Sequence, residues 1–259
     1  MLIAQEIAQR ATIKNPICII VIGGDGTIHE VVNGVIHSPN VYIGAISAGS
    51  GNDFARGIGM PDDIEALVDI LLAGGCTRMD AGDANGEFFI NVAGFGFDVD
   101  VVRYTEKYKK KLNGMLPYLL GIFQSLVHLE KLKVRAQAEN GEAFDVPCVL
   151  FSVCNGNRFA GGIKVAPNAS ASDGLLDVCI LKEVSRARLL YLLPIYMKGK
   201  HEGYKDFMCF RAKSISCECG ASVSPLQLDG ELIGTTPVAF SIRPGALNII
   251  TGAISAPAL

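Results

Sequence analysis

Apolar and polar positions follow two rhythms along this chain. Residues 17–22 form an unbroken, mostly β-branched apolar run, the pattern of a strand buried on both faces. The run stops at Gly23-Gly24-Asp25-Gly26-Thr27, after which Ile28, Val31, Val32, Val35 and Ile36 recur at helical spacing. A second strand is predicted over 41–47, leading into Ala48-Gly49-Ser50-Gly51-Asn52-Asp53. Beyond Pro61, the stripe Ile64, Leu67, Val68, Leu71 and Leu72 predicts another helix, with Asp62 and Glu65 as its capping box. Ahead of the first strand, Ile3, Ile7, Ala8 and Ala11 read as helix. Strands alternating with helices imply a parallel sheet, whose ligands bind at the carboxyl ends of the strands. Both glycine-rich loops fall at that edge and should face one site.

After Asp80 the rhythm shortens. β-rich runs at 88–92, 146–153, 175–181, 214–219 and 237–242 are separated by turns such as Asn140-Gly141 and Asp229-Gly230. Helical stretches near 103–129 and 185–197 interrupt them. The pattern divides the chain into an α/β unit over 1–80, to which 244–259 can return, and a β-rich unit over 81–243.

Composition narrows the classes. At roughly 100–200 residues per domain, 259 residues suggest two domains. An apolar content of 49% excludes disorder. With 23 Lys and Arg against 26 Asp and Glu, nucleic-acid binding by bulk charge is not expected. The 29 glycines exceed the usual share of about 7%, so backbone pressed close to a ligand is expected. The eight cysteines are scattered, and Cys18, Cys148, Cys154 and Cys179 read as buried thiols within apolar runs. Cys217 and Cys219 are too close together for a zinc knuckle or a redox pair. His29, His37, His128 and His201 show no metal-ligand spacing and read as structural or exposed. The apolar run 115–129, broken by Pro117, Gln124, Ser125 and His128, is too short for the roughly 20-residue span of a membrane helix. With no basic segment at the N-terminus, a cytoplasmic protein is expected.

The chemistry gathers in the two loops. Glycines between a strand and a helix let backbone N–H groups approach an anion, and the helix N-terminus adds positive charge. Asp25 would repel a phosphate unless a Mg²⁺ ion lay between them. The alternative is a plain turn in which Thr27 or Asp25 caps the helix. In the second loop Ser50 could touch a phosphate, Asp53 could orient a hydroxyl or metal water, and Arg56 could offset charge. Its alternative is an Asn-Asp cap with a surface arginine. Neither the P-loop motif nor the full dinucleotide fingerprint is present.

Gly23-Gly24-Asp25-Gly26-Thr27 followed by Ile28-His29-Glu30-Val31 resembles the signature of the diacylglycerol kinase catalytic domain family, which includes bacterial diacylglycerol kinases, YegS-like lipid kinases and sphingosine kinases. The core is shared with NAD kinases. Gly51-Asn52-Asp53-Phe54-Ala55-Arg56, Ala166-Pro167-Asn168-Ala169, Asp173-Gly174-Leu175-Leu176-Asp177 and Asp229-Gly230-Glu231 favour the lipid kinases. The resemblance implies a three-layer parallel-sheet nucleotide domain followed by a β-sandwich-like domain. It also implies an ATP- and Mg²⁺-dependent kinase acting on a hydroxyl of diacylglycerol or a related lipid. Gly24, Asp25, Gly26, Thr27 and Ser50 would hold the nucleotide, Asp25 and Asp53 would organise Mg²⁺–ATP and substrate, and Glu231 would be the general base. A structural Mg²⁺ would sit on Ser170, Asp173 and the carbonyl of Leu175.

The family's usual first strand and Asn-Pro-x-x-Gly loop have no counterpart, because Asn15-Pro16 leads directly into the 17–22 strand. A sheet edge is therefore expected to be open, with a homodimer as one possible partner. Lys107, Lys109, Lys110 and Lys111 precede the apolar 115–129 stretch. That order suits transient contact with an anionic inner membrane surface, but a helix packed on the second domain beside solvated lysines is the favoured reading. Besides the lipid kinase, an NAD kinase and a catalytically impaired lipid- or nucleotide-binding protein fit these motifs.

Overall fold

A computed structural model describes residues 3–11, 16–109, 111–112, 116–139, 141–220 and 223–251. Asn15, Lys110, Met115, Asn140 and 252–259 lie outside them. The first unit runs α1 (Ile3–Ala11), β1 (Ile17–Gly23), α2 (Asp25–Val35), β2 (Val41–Ser47), α3 (Asp53–Gly57), α4 (Ile64–Ala73) and β3 (Cys76–Ala84). There follow β4 (Glu87–Phe89), β5 (Val92–Gly96), α5 (Phe97–Lys109), α6 (Leu116–Val127), β6 (Leu132–Ala138), β7 (Phe144–Cys154) and β8 (Leu176–Lys182). The chain closes with α7 (Arg186–Met197), β9 (Phe207–Ala212), β10 (Ser214–Cys219), β11 (Pro225–Leu228), β12 (Glu231–Thr235) and β13 (Val238–Ile250).

The architecture is α/β followed by a β-sandwich-like half, joined in one mixed sheet. β1 and β2 pair in parallel without slippage, from Ile17 opposite Val41 to Gly23 opposite Ser47. Strands that end in register release their loops side by side, and this positions the site. β13 joins the halves. Its second part runs parallel to β2 at Asn248 and Ile249, while its first part pairs antiparallel with β10. A register shift between Arg243 and Leu247 lets one strand serve both. The expected 80/81 division falls inside β3, which pairs with β13 on both sides of that shift.

β1 is a sheet margin, with Cys18, Ile20 and Ile22 exposed. The expectation of burial on both faces is therefore corrected: α2 covers one face, and α4 covers the other incompletely. α4 is capped by Asp63, whose side chain accepts the Ala66 N–H at 2.9 Å, and not by Asp62. Of its predicted stripe Leu67 is buried and Leu71 leans over Gly44, whereas Ile64, Val68 and Leu72 face solvent. The helical stretch near 103–129 is two helices. Pro117 is tolerated in the first turn of α6, where no N–H partner is needed. Gly121 lets the two helices touch, since a Cβ there would lie 2.5 Å from Thr105 Oγ1. The largest core cluster lies in the β-rich half, where the Phe95 and Phe151 rings stack at 4.8 Å. A second fills the space between α2 and the sheet of the first unit.

Candidate active site

The two glycine loops are in backbone contact. A Cβ on Gly49 would lie 2.4 Å from Gly24 Cα, and one on Gly24 would lie 3.0 Å from Gly49 Cα. Glycine at 49 is what lets these loops meet, and any larger residue at 24 would crowd the contact. Gly24 is the N-cap of α2 and has no side-chain cap bond, so neither Thr27 nor Asp25 caps the helix. The first-turn amides are left to face the cleft as an anion site. Asn52, in the left-handed region at φ 56°, accepts the Gly49 N–H and donates to its carbonyl, which pins the second loop. Arg56 donates to the Gly51 carbonyl at 2.9 Å.

Asp25 and Asp53 flank Gly51: a Cβ there would stand 2.8 Å from Asp25 Oδ2 and 3.5 Å from Asp53 Oδ2. Asp25 Oδ1 accepts the Phe54 N–H at 2.9 Å. Asp53 Oδ2 accepts the Gly161 N–H at 2.7 Å, while its buried Oδ1 has no partner. Burial pushes the Asp53 carboxyl above the usual range; the Gly161 N–H opposes this and the Asp25 charge adds to it. Two carboxylates side by side, one with a buried oxygen left unpartnered, are hard oxygen donors that fit a hard divalent cation such as Mg²⁺.

Glu231 arrives from the far end of the sequence. A Cβ on Gly26 would lie 2.8 Å from Glu231 Oε1, so the carboxylate stands over the first turn of α2. The β11–β12 hairpin is tied down by Asp229, a left-handed residue at φ 52°. Asp229 is buried and accepts N–H bonds from Ile90, Asn91 and Val92 and a contact from His29 Nδ1 at 3.1 Å. Burial alone would lower the His29 pKa, but the Asp229 hydrogen bond and charge outweigh it and raise it. Gly230 N–H donates to Gln227, which in turn donates to the buried carboxyl of Asp98.

These residues wall a cleft of about 720 Å³ that includes Gly24, Asp25, Ser50, Asp53, Gly161 and Glu231. Thr27 folds back against Gly23 and is not part of the wall. Val102, Tyr118, Phe159 and Ala160 separate the cleft from a narrow apolar chamber of about 50 Å³ between α5, α6, α7 and the sheet. Sequence reasoning missed Gly161, the structural pair His29–Asp229, and this chamber. The Gly161-Gly162 pair, both with positive φ, was the available signal for a close backbone approach.

Ser170, Asp173 and Leu175 share one turn, held by Asp80 through the Gly174 and Gly245 N–H groups. Ser170 Oγ pairs with Ser172 Oγ, and Asp173 Oδ1 accepts the Leu175 N–H. Asp173 Oδ2 lies 3.9 Å from the Arg211 guanidinium. The structure thus brings the three residues together in one turn, with the Arg211 guanidinium beside it.

α6 buries Pro117, Gly121 and Ser125 and leaves Leu116, Leu119, Phe123 and Val127 exposed along one face. Lys107, Lys109 and Lys111 are exposed close by, Lys109 in an ion pair with Glu106. No helix among the described residues is long and apolar enough to cross a membrane.

Comparison with known proteins agrees with this geometry. The diacylglycerol kinase catalytic domain model matches residues 3–84, and the YegS C-terminal NAD kinase beta sandwich-like domain model matches 91–251. A diacylglycerol kinase of Staphylococcus aureus (strain bovine RF122) is 32% identical over 236 residues, covering 90% of this chain and 74% of the relative. One from Staphylococcus saprophyticus is 32% identical over 234 residues, covering 90% and 76%. A crystal structure of a diacylglycerol kinase candidate from Bacillus anthracis superposes with a TM-score of 0.78 at 27% identity, covering 96% of this chain and 82% of that one. Fold, site and matches define a two-part α/β–β kinase architecture. The chain belongs to the diacylglycerol kinase/YegS-like family.

Proposed function

We propose that this protein is a lipid kinase that transfers the γ-phosphate of ATP to a hydroxyl of diacylglycerol or a related lipid. The observation that carries the reading is the meeting of Glu231 with the Asp25 and Asp53 loops over the uncapped N-terminus of α2. The Gly24 and Gly26 backbone and Ser50 bind the phosphates, where the first-turn amides offset negative charge. Asp25 and Asp53 would hold Mg²⁺, which supplies charge neutralisation to the transferring phosphoryl group. Glu231 accepts the proton as the acceptor oxygen forms its bond to phosphorus and the bond to ADP breaks. The apolar chamber beyond Tyr118 and Phe159 receives part of an acyl chain. The exposed stripe of α6, with its neighbouring lysines, rests on the membrane that carries the substrate.

The test is γ-phosphate transfer from labelled ATP into mixed micelles carrying a panel of lipids, with NAD as a parallel acceptor. Glu231→Gln should lower turnover by about 10²- to 10⁴-fold with little change in ATP affinity. Asp25→Asn should abolish Mg²⁺-dependent turnover. Label entering NAD alone would replace the acceptor assignment, and ATP or lipid binding without transfer would mark a binding protein.

A further inference from the structure

Away from the cleft, three side chains of the β8–β9 edge converge. Cys179 on β8 stands directly opposite Cys209 on β9. Lys182 N–H donates to the Asp206 carbonyl three pairs along. Counting back in alternation makes Cys179–Cys209 a non-hydrogen-bonded pair, where facing side chains stand closest. Their sulfurs are 3.6 Å apart. His201, on the connection between α7 and β9, is 1% exposed and brings Nε2 to 3.4 Å from Cys179 Sγ. The three ligating atoms lie within 4.8 Å of one another. The Tyr196 and Phe207 rings hold the imidazole in place, with centroids at 4.9 and 4.8 Å.

We propose that Cys179, Cys209 and His201 form a binding site for a thiophilic divalent cation of the zinc type, with a fourth position left for water beside the exposed Cys209. Tetrahedral zinc, with Zn–S about 2.3 Å and Zn–N about 2.0–2.1 Å, separates two sulfurs by about 3.8 Å and sulfur from nitrogen by about 3.5 Å. The observed 3.6 and 3.4 Å are within a few tenths of an ångström of those edges. A disulfide would instead require the sulfurs to close to about 2.05 Å and has no use for the imidazole. A hydrogen-bonded thiol pair beside a core histidine also leaves a cost unexplained. His201 Nδ1 is buried and has no partner, so Nε2 carries all the polar compensation for burying the ring. A metal–nitrogen bond supplies more of it than a contact to a thiol does.

The missing second partner has a consequence for affinity. Ligating histidines usually donate their other N–H, and its loss weakens a site about 10- to 100-fold. Among the described residues β9 pairs only with β8, so the ion would staple this sheet margin to the α7–β9 connection. Tyr196 and Phe207 also line the apolar chamber, which the staple would stiffen.

The test uses the full chain, reduced and stripped with chelator, and titrated with Co²⁺ and then Zn²⁺. One equivalent of Co²⁺ should give thiolate-to-cobalt charge-transfer absorption with the intense visible bands of a four-coordinate site, and Zn²⁺ should displace it. Zn²⁺ at 100-fold over its Kd should raise Tm by about 5–10 °C. His201→Gln should remove most of the charge-transfer band. Cys209→Ser should do the same, and because that side chain is exposed its circular dichroism should stay that of the parent. Asp53→Asn should leave the band intact, separating this site from the acidic cleft. Cobalt bound without thiolate absorption, or an undiminished band in folded Cys209→Ser, overturns the proposal. A Cys179–Cys209 disulfide whose reduction gives no cobalt band also overturns it, in favour of a redox pair.

Discussion

Asp98 and Asp229 are two carboxyls beside the cleft with different surroundings. Asp229 is buried and collects three backbone N–H groups and His29. Asp98 has the Gln227 amide and the Val99 N–H, and burial pushes its carboxyl up to about 7. In the unfolded chain an aspartate titrates near 3.9. The native state thus binds this proton more tightly. The resulting stabilisation is fully present below about pH 3.9 and is lost as pH rises toward 7. Asp98→Asn keeps the shape and removes the charge. Urea midpoints of parent and variant should nearly coincide at about pH 3.5, should separate progressively above pH 4, and by pH 8 the variant should be the more stable. A gap of equal size at both pH values would show that Asp98 does not titrate in this range.

Among the elements, α6 has the plainest division of labour. Its small residues, Gly121 and Ser125, press on α5, while Tyr118 and Ile122 wall the chamber and Leu119 and Phe123 face solvent. If that outer face rests on lipid, Leu119→Glu with Phe123→Glu should cut sedimentation with anionic vesicles about tenfold or more, while a short-chain, water-soluble acceptor is still phosphorylated at the parent rate. Unchanged vesicle binding would assign the stripe to another partner. β1, β2 and α2 were legible because their apolar periods and glycine stops agree with the fold. β3 was not, because Arg78, Asp80 and Asp83 interrupt its pattern. Those side chains draw largely on distant partners: the Gly245 carbonyl, the Gly174 and Gly245 amides, and Arg243, with the nearby Gly86 N–H also on Asp83. The outward-facing residues of α4 misled in the opposite way, since a helical stripe does not say how much of it the sheet will cover.

At the scale of the whole molecule, the cleft draws on positions as far apart as 24 and 231 because β13 binds the two halves into one sheet. The sequence motifs named Asp25, Asp53 and Glu231 separately. Their convergence, and the Gly161 amide that holds Asp53, belong to tertiary structure and have no periodic signal. The same topology leaves β1 paired only with β2 among the described residues. Ile22 there is 68% exposed, and Ile64 and Leu72 of α4 are exposed on the helix that incompletely covers the sheet. An unpaired strand margin beside exposed apolar side chains is a template for pairing with another copy unless charge intervenes. The chain should therefore show concentration-dependent self-association by light scattering. Ile22→Lys, which puts a charge on the margin without touching the core, should shift it to monomer at the same concentration while its thermal transition stays within about 2 °C of the parent. Association that persists undiminished in Ile22→Lys would place the contact elsewhere on the molecule.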